Sequence, residues 1–468
     1  MLDGKIKNKS VFVGLNNLGV LRRALHSVVT VKEAKDVGKT LKLPGGEENQ
    51  NPIDLPDDTK ARLEVFKKAY RYAAEKVIED DNSRRTGDPT ILRSPEYQSA
   101  YTQVKALYDE PDKILGHPFN LIRKMENLIA DPDLSDRASY YYFEDSQKDA
   151  IEKALMDFHK QAITEKRDNP GPYAQKEYIK ENLRYVTVVG PDGKSEEKPE
   201  VTYTVVVRGI MTTKDGRNCV LLDSIDFEVQ DAFERALEKN KVKFSVTIPP
   251  KLAALIDNFK NEMANPRGLI NSESGIKKSP IVKQIVFCDQ LGLIHKIKKL
   301  LAEKCGLTAS KIAIVTGKVN NTPEKIMAVQ DGFNANGEEN KIQCVIANEK
   351  AEVGINLQIG TQAIHHLTIG WTPDSLVQRN GRGVRQGNQT EKVNIYSYDA
   401  SGTFDCIRRT MVNHKANWIN SVIDKTGGNK VTIAGGMTQE EAKALIDSLG
   451  NPEDVEAYQR NKEKRDLH

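Results

Sequence analysis

From Lys283 onward the sequence alternates short apolar runs with helical patterns, and this alternation leaves few folds open. KQIVFCD (Lys283 to Asp289), SKIAIVTGK, IQCVIAN (Ile342 to Asn348) and AIHHLTIGW read as buried strands. Between them, LIHKIKKLLAEKCG and PEKIMAVQDGFNAN carry apolar residues at the spacing of an amphipathic helix. Near-continuous apolar strands joined by helices imply a parallel sheet with both faces covered. Such a sheet binds ligands at the carboxyl ends of its strands. The Gly317 loop, the loop after Asn348 and an arginine-rich segment all fall at such ends.

The arginine-rich segment is Trp371 to Gly387, WTPDSLVQRNGRGVRQG, with a helix expected from Asp374. Arg382 and Arg385 lie three apart and would share a helix face; Gln378, four before Arg382, lies on the same side. Gly381 and Gly387 let the backbone approach a neighbour or leave the helix. A guanidinium stays charged and offers a planar fork of donors, which suits it to the charge that develops on a transferring γ-phosphate. A basic surface helix after a turn has the same composition, so this segment alone does not separate the two readings.

The length of 468 residues suggests roughly two to four structural units. With 38% hydrophobic and 29% charged residues the chain reads as soluble and globular. No apolar run approaches the roughly 18 residues of a membrane span, and MLDGKIKNKS lacks the apolar core of a signal peptide. A cytoplasmic protein is expected. The five cysteines form no C-x-x-C pair, which points to reduced thiols and no zinc site. Net charge is only +3, but 251–425 carries 23 Lys and Arg against 16 Asp and Glu, an excess of seven that suits a phosphate-facing lobe. His365 and His366 are adjacent in a strand and point opposite ways, one to the core and one to the surface, so they share no metal. Neither a PD-(D/E)xK pair nor N-P-P-Y is present, which argues against a nuclease or methyltransferase.

The remaining organisation is read in chain order. Residues 1–56 form a connecting arm; Asp36-Val37-Gly38-Lys39-Thr40 is no phosphate loop, because Glu33 stands where the pattern needs a small residue and LKLPGG cannot continue a helix. Residues 57–182 are mainly helical, with helices from Asp57, Pro95 to Leu107, Phe119 to Ile129 and Asp145 to Lys166. The run Tyr140-Tyr141-Tyr142-Phe143 suits partly buried packing better than base stacking. Residues 183–250 hold a small antiparallel β insert, its turns marked by Gly190-Pro191-Asp192-Gly193 and Asp215-Gly216, followed by a helix. Residues 251–425 form the α/β lobe and 426–468 a tail with one short helix.

At these residues the chain resembles superfamily-2 helicases of Swi/Snf type. KQIVFCD resembles motif IV, Lys350 to Gln358 (KAEVGINLQ) motif V, and Trp371 to Gly387 motif VI. NIYSY and GTFDCIRRTMVNHKANWI resemble the strand and brace helix that close the second lobe, and Leu21-Arg22-Arg23 with Leu43-Pro44 resembles the linker between lobes. The combination is similar to the helicase part of phage and plasmid antirestriction methylase–helicase proteins. It covers 251–425 and, more weakly, the linker.

The resemblance implies a RecA-like C-terminal lobe of a DNA-dependent ATPase. In it Arg382 and Arg385 reach the γ-phosphate, Gln378 positions them, and Gly354, Asn356 and Gly381 serve the nucleotide. Lys350, Asn348, Lys318 and Asp289 would line the path of double-stranded DNA. The sequence departs from the pattern at Ala347 and Asn348 (usually Ser-Thr), at Ala351-Glu352 (usually two glycines) and at Asn388 (usually Gln). Asn348 and Asn356 would hydrogen-bond phosphate or a neighbouring loop, or Asn356 merely caps a turn. No Walker A or Walker B pattern occurs in the chain, so ATP and Mg2+ are expected only with a complementing motor lobe or within a larger parent polypeptide. The alternative is an inactive helicase-like scaffold, virion component or decoy for a defence protein.

Overall fold

The computed structural model describes residues 14–16, 44–70, 95–107, 118–136, 138–168, 179–189, 195–205, 207–213, 216–222, 227–271, 275–278, 281–317, 319–335, 341–352, 354–423 and 430–432. The chain divides into two compact units, 131–249 and the remainder.

The larger unit is an α/β lobe built on a parallel sheet. Its strands are β1 (Gly45–Ile53), β2 (Lys283–Phe287), β3 (Ile312–Val315), β4 (Cys344–Ala347), β5 (Thr361–His366) and β6 (Lys392–Ala400). They form one sheet in the order β3-β4-β2-β5-β6-β1, and every neighbouring pair is parallel. From β2 the chain crosses to the edge strand β3, returns to β4 between the two, then continues to β5 and β6 on the other side of β2. In open sheets the carboxyl edge at such a reversal is the usual ligand site.

The described helices of this unit include α1 (Pro250–Ala264), α2 (Leu291–Cys305), α3 (Pro323–Asn334), α4 (Pro373–Asn380) and α5 (Phe404–Ile423). α2 stops at Gly306, whose φ of 70° closes the helix in the left-handed region. α3 starts at Thr322, whose side chain accepts from the Lys325 N–H, with Pro323 preset for the first turn. All five β2 residues are buried. On one face Ile285, Phe287, Val345 and Ile364 pack with Val329 and Phe333 of α3. Each large apolar side chain so buried contributes about 1.5–3 kcal/mol. On the other face Gln284 donates to the Phe259 carbonyl of α1 at 3.1 Å, and His365 stacks on Phe259 at 5.9 Å.

Because helices cover both faces, the expectation of one core and one surface histidine is corrected: His365 and His366 are 0% and 1% exposed. His365 bridges the Tyr398 hydroxyl (2.8 Å) and Gln284 Oε1 (2.7 Å), while His366 stacks on Phe287 and pairs with Asn380 Oδ1 (2.7 Å).

The arm expected over 1–56 is divided. Most of it, including Leu21-Arg22-Arg23 and Asp36 to Thr40, lies outside the described residues, but Gly45–Ile53 is an edge strand of the sheet. Its sequence, GGEENQNPI, has little apolar content because its backbone is matched along its length by β6 while its side chains are largely exposed. The expected tail helix also lies outside the described residues.

The smaller unit begins before the β insert expected at 183. Ser139–Phe143, Asn218–Leu222 and Val207–Thr212 form an antiparallel sheet in that order. Helices Lys148–Asp168 and Phe227–Lys239 supply Phe158 and Phe233 to a core that also holds Tyr141. Tyr141 meets Phe233 and Phe244 edge-on at 5.1 and 5.4 Å, so the aromatic run serves packing there. A separate hairpin pairs Ile179–Val189 with Ser195–Val205.

Candidate functional site

The arginine-rich segment crosses the carboxyl edge of the large sheet. α4 is shorter than its sequence pattern suggests: it ends at Asn380, with Gly381 as its C-cap at φ −63°. Arg382 and Arg385 therefore lie in the turn that follows, not on a shared helix face. The turn is held tightly. Gly381 and Val384 N–H groups bond the carbonyls of Val377 and Asn380, and a Cβ on Gly381 would stand 3.2 Å from the Val377 carbonyl. Gly387, at φ +94°, turns the chain out of the segment. Asn388 replaces the expected glutamine and is buried, donating to the carbonyls of Thr361 and Gly383 at 2.9 Å.

Arg382 donates to the Gln378 carbonyl (3.1 Å) and to the Ile355 carbonyl (2.7 Å). Arg385 is exposed and donates to Asn356 Oδ1. Burial, and then the neighbouring Arg385 charge, pull the Arg382 guanidinium below its usual pKa, yet a guanidinium in a protein stays charged. The Asn356 N–H donates to Gln330 Oε1 (2.9 Å) and its carbonyl accepts from Asn334 (2.8 Å), so this loop is fixed to α3 independently of Arg385. Gly354, two residues earlier, has φ +87°, which only glycine adopts without strain. Gln378, Gly381, Arg382, Arg385, Gly354 and Asn356 thus meet around one turn and one loop.

Of the residues expected beside DNA, Asp289, Asn348 and Lys350 follow the carboxyl ends of β2 and β4. Asn348 caps the short turn Glu349–Ala351 by accepting from the Lys350 N–H, so its side chain has a structural partner. Lys350 is exposed, and with Asn321, Pro323, Ile326 and Glu349 it lines a shallow cleft of about 620 Å³. Lys318 lies outside the described residues. Its flanks are ordered by one another: Thr316 N–H bonds the Val319 carbonyl, and Asn321 bonds the Gly317 carbonyl.

Asp289 is engaged internally. Both of its oxygens accept from the one nitrogen Nη2 of Arg379 at 3.0 Å, and it also accepts from Thr368 Oγ1 (2.9 Å) and the Glu349 N–H (3.2 Å). Arg379 was not expected to matter. Its side chain is 1% exposed and also bonds Glu352 Oε1 through Nε at 2.7 Å and the Thr368 carbonyl through Nη1 at 2.9 Å. Its guanidinium lies 5.2 Å over the Phe287 ring. The inner face of α4 is made by Ser375 and Arg379, four apart, where an amphipathic helix would place apolar residues. An acidic residue directly after a buried strand, and a second one after the next turn, were the available signals.

Chemically, this edge offers two fixed guanidinium groups beside a glycine loop, which fits one side of a triphosphate site. Among the described residues no group of three or more His, Cys, Asp or Glu side chains could hold a metal ion, and Asp289 and Glu352 are committed to Arg379. No helix among the described residues is long and apolar enough to cross a membrane.

No family model matches the chain. It is 25% identical over 477 aligned positions to the defence against restriction protein B of Escherichia phage P1. The match covers 90% of this chain and 18% of that protein's length. Among solved structures, the C-terminal part of the Fun30 ATPase domain covers 89% of this chain and 99% of its own, with a TM-score of 0.40 and 14% identity. The chain is thus similar in sequence to a phage protein named for defence against restriction, and it spans 18% of that protein's length.

Proposed function

We propose that this chain supplies the second motor lobe of a Swi/Snf-like DNA-dependent ATPase, a translocase or helicase. The observation that carries the proposal is the turn at Arg382 and Arg385, pinned to Ile355 and Asn356 at the carboxyl edge of a RecA-like sheet. In this reading ATP lies against that turn, and the two arginines offset charge on the γ-phosphate. Gln378 accepts from Arg382 through its carbonyl and holds its aim. Gly354 and Asn356 form the loop beside the nucleotide. The exposed Lys350, with Lys318, faces the backbone of double-stranded DNA.

The 468 residues contain no GxxxxGK[ST] loop and no Walker B carboxylate. The phosphate cradle and the magnesium carboxylate must then come from a first lobe, on another polypeptide or elsewhere in a longer one. The match to only 18% of a much longer relative supports this arrangement. DNA translocation would follow from closing and opening of the lobes around ATP.

The relative's name, defence against restriction, favours a second reading, in which the lobe is an inactive scaffold, a virion component or a decoy for a host defence protein. ATP hydrolysis by the chain, alone and with duplex DNA and a complementing first lobe, separates the two. The motor reading expects activity only in the full mixture, lost in Arg382→Ala, Arg385→Ala. Rapid hydrolysis by the chain alone would overturn the site assignment, and absence of both hydrolysis and DNA binding would favour the scaffold.

A further inference from the structure

The geometry points to Arg379 as a positioning residue that transmits the state of the Lys350 turn to the Arg382–Arg385 turn, an inference that rests on the motor reading above. The short turn Glu349–Ala351 is tied at both ends to one guanidinium. At its start, the Glu349 N–H donates to Asp289 Oδ1 at 3.2 Å, and Asp289 receives Arg379 Nη2 at 3.0 Å. At its end, Glu352 Oε1 receives Arg379 Nε at 2.7 Å and Ser375 Oγ at 2.6 Å. Lys350, the exposed cation, sits between these two attachments.

The other end of the relay is equally defined. Arg379 is the penultimate residue of α4, and Asn380, the last, pairs with His366 of β5. The N–H of Arg382 bonds the Arg379 carbonyl, and those of Gly383 and Val384 bond the Asn380 carbonyl. Any movement of the Glu349–Glu352 turn that shifts Asp289 or Glu352 must either break contacts to a buried guanidinium or carry the helix end with it. A planar fork that meets two carboxylates and a carbonyl has little freedom to do the former. Glu352 occupies a position where the resembled motif has glycine, so this relay is built from a residue particular to this sequence.

The experiment is hydrogen exchange of the full 468-residue chain with and without a short DNA duplex, in wild type, Arg379→Lys and Glu352→Gln. The lysine keeps the charge and loses the fork; the glutamine keeps size and an acceptor oxygen and loses the charge. In wild type the duplex should slow exchange at 348–352 and also at the bonded amides of 381–388. In the variants protection at 348–352 should persist, while DNA-dependent protection at 381–388 falls about tenfold, the size of an ordinary coupling between sites. Thermal melts run alongside establish that each variant is folded, and Glu352→Gln carries the test if Arg379→Lys is not. Undiminished protection of both segments in a folded variant overturns the relay and leaves the motor reading standing. Absence of any DNA effect in wild type overturns both.

Discussion

Arg385 donates to the side-chain oxygen of Asn356, which joins the arginine turn to the loop after β4. Asn356 itself is anchored through its backbone to Gln330 and Asn334 of α3, so truncating its side chain leaves the loop in place. Asn356→Ala should therefore lower stability by no more than about 1 kcal/mol, as for other exposed charge contacts. Arg385→Ala should be equally mild in a urea melt. The two should diverge in ATP hydrolysis with a complementing lobe: a true finger is worth roughly 10³–10⁵ in rate, whereas loss of Asn356 only frees its aim. Equal, small effects on hydrolysis would remove Arg385 from the catalytic role.

Lys251 of α1 pairs with Asp405 at the start of α5, with side-chain exposures of 3% and 16%. Lys251→Met should cost about 3–5 kcal/mol, because it leaves a buried carboxylate without its cation. The double variant Lys251→Met, Asp405→Leu should recover much of that loss, since an apolar pair avoids the desolvation cost. The denaturant midpoints of the two variants decide it. No recovery would indicate that Asp405 matters mainly through its bond to the Ala400 N–H.

The lobe was legible where one rule governs: buried strands of a parallel sheet are mainly apolar, and β3 and β4 obey it throughout, while β2 and β5 bury Lys283, Gln284, Thr361, Gln362, His365 and His366 beside their apolar residues. β1 escaped because an edge strand paired by its backbone needs no apolar side chains. The motif residues Gln378, Arg382 and Arg385 could be placed at a strand end, but the stop of α4 at Asn380 could not, since Gly381 sits there with helical φ. Lys283 opens the run read as a buried strand, but its partner was not legible: Nζ bonds the Ala335 carbonyl beyond the end of α3 (2.7 Å), and burial lowers its pKa to about 8. Arg379 was illegible for the same reason: its partners Asp289 and Glu352 become neighbours only when three strand ends meet.

The arginine turn lies close against the sheet at Gly383. A Cβ there would stand 2.7 Å from Thr361 Cγ2 and 3.0 Å from Ile364 Cδ1, both side chains of a buried central strand. Gly383→Ala should destabilise by about 1–3 kcal/mol through overpacking and push the turn outward. In a reconstituted ATPase it should lower hydrolysis without any arginine being removed. Thr361→Ser in the same chain removes the clashing methyl and should restore part of the lost stability. A Gly383→Ala variant with wild-type melting would show that the turn has room to move.

His365 and His366 make acid stability a direct readout of the sheet. Burial lowers each pKa to about 3, with a smaller contribution at His365 from His366; at His366 the Asn380 bond opposes the shift while Arg379 and Arg409 add to it. In the unfolded chain both titrate near 6.5. Between roughly pH 3 and 6.5 the unfolded chain therefore binds more protons, and stability rises with pH. The contribution is fully present above about pH 6.5 and is lost as pH falls toward 3, at up to about 1.4 kcal/mol per pH unit for each histidine. The urea midpoint should be nearly flat around pH 7 and decline steeply from about pH 6 to 5. His366→Gln keeps a polar group opposite Asn380, so it should reduce that slope by about half, whatever it does to stability at pH 7. An unchanged slope would assign the acid sensitivity to other groups and imply that protonation of the two histidines is tolerated in the folded lobe.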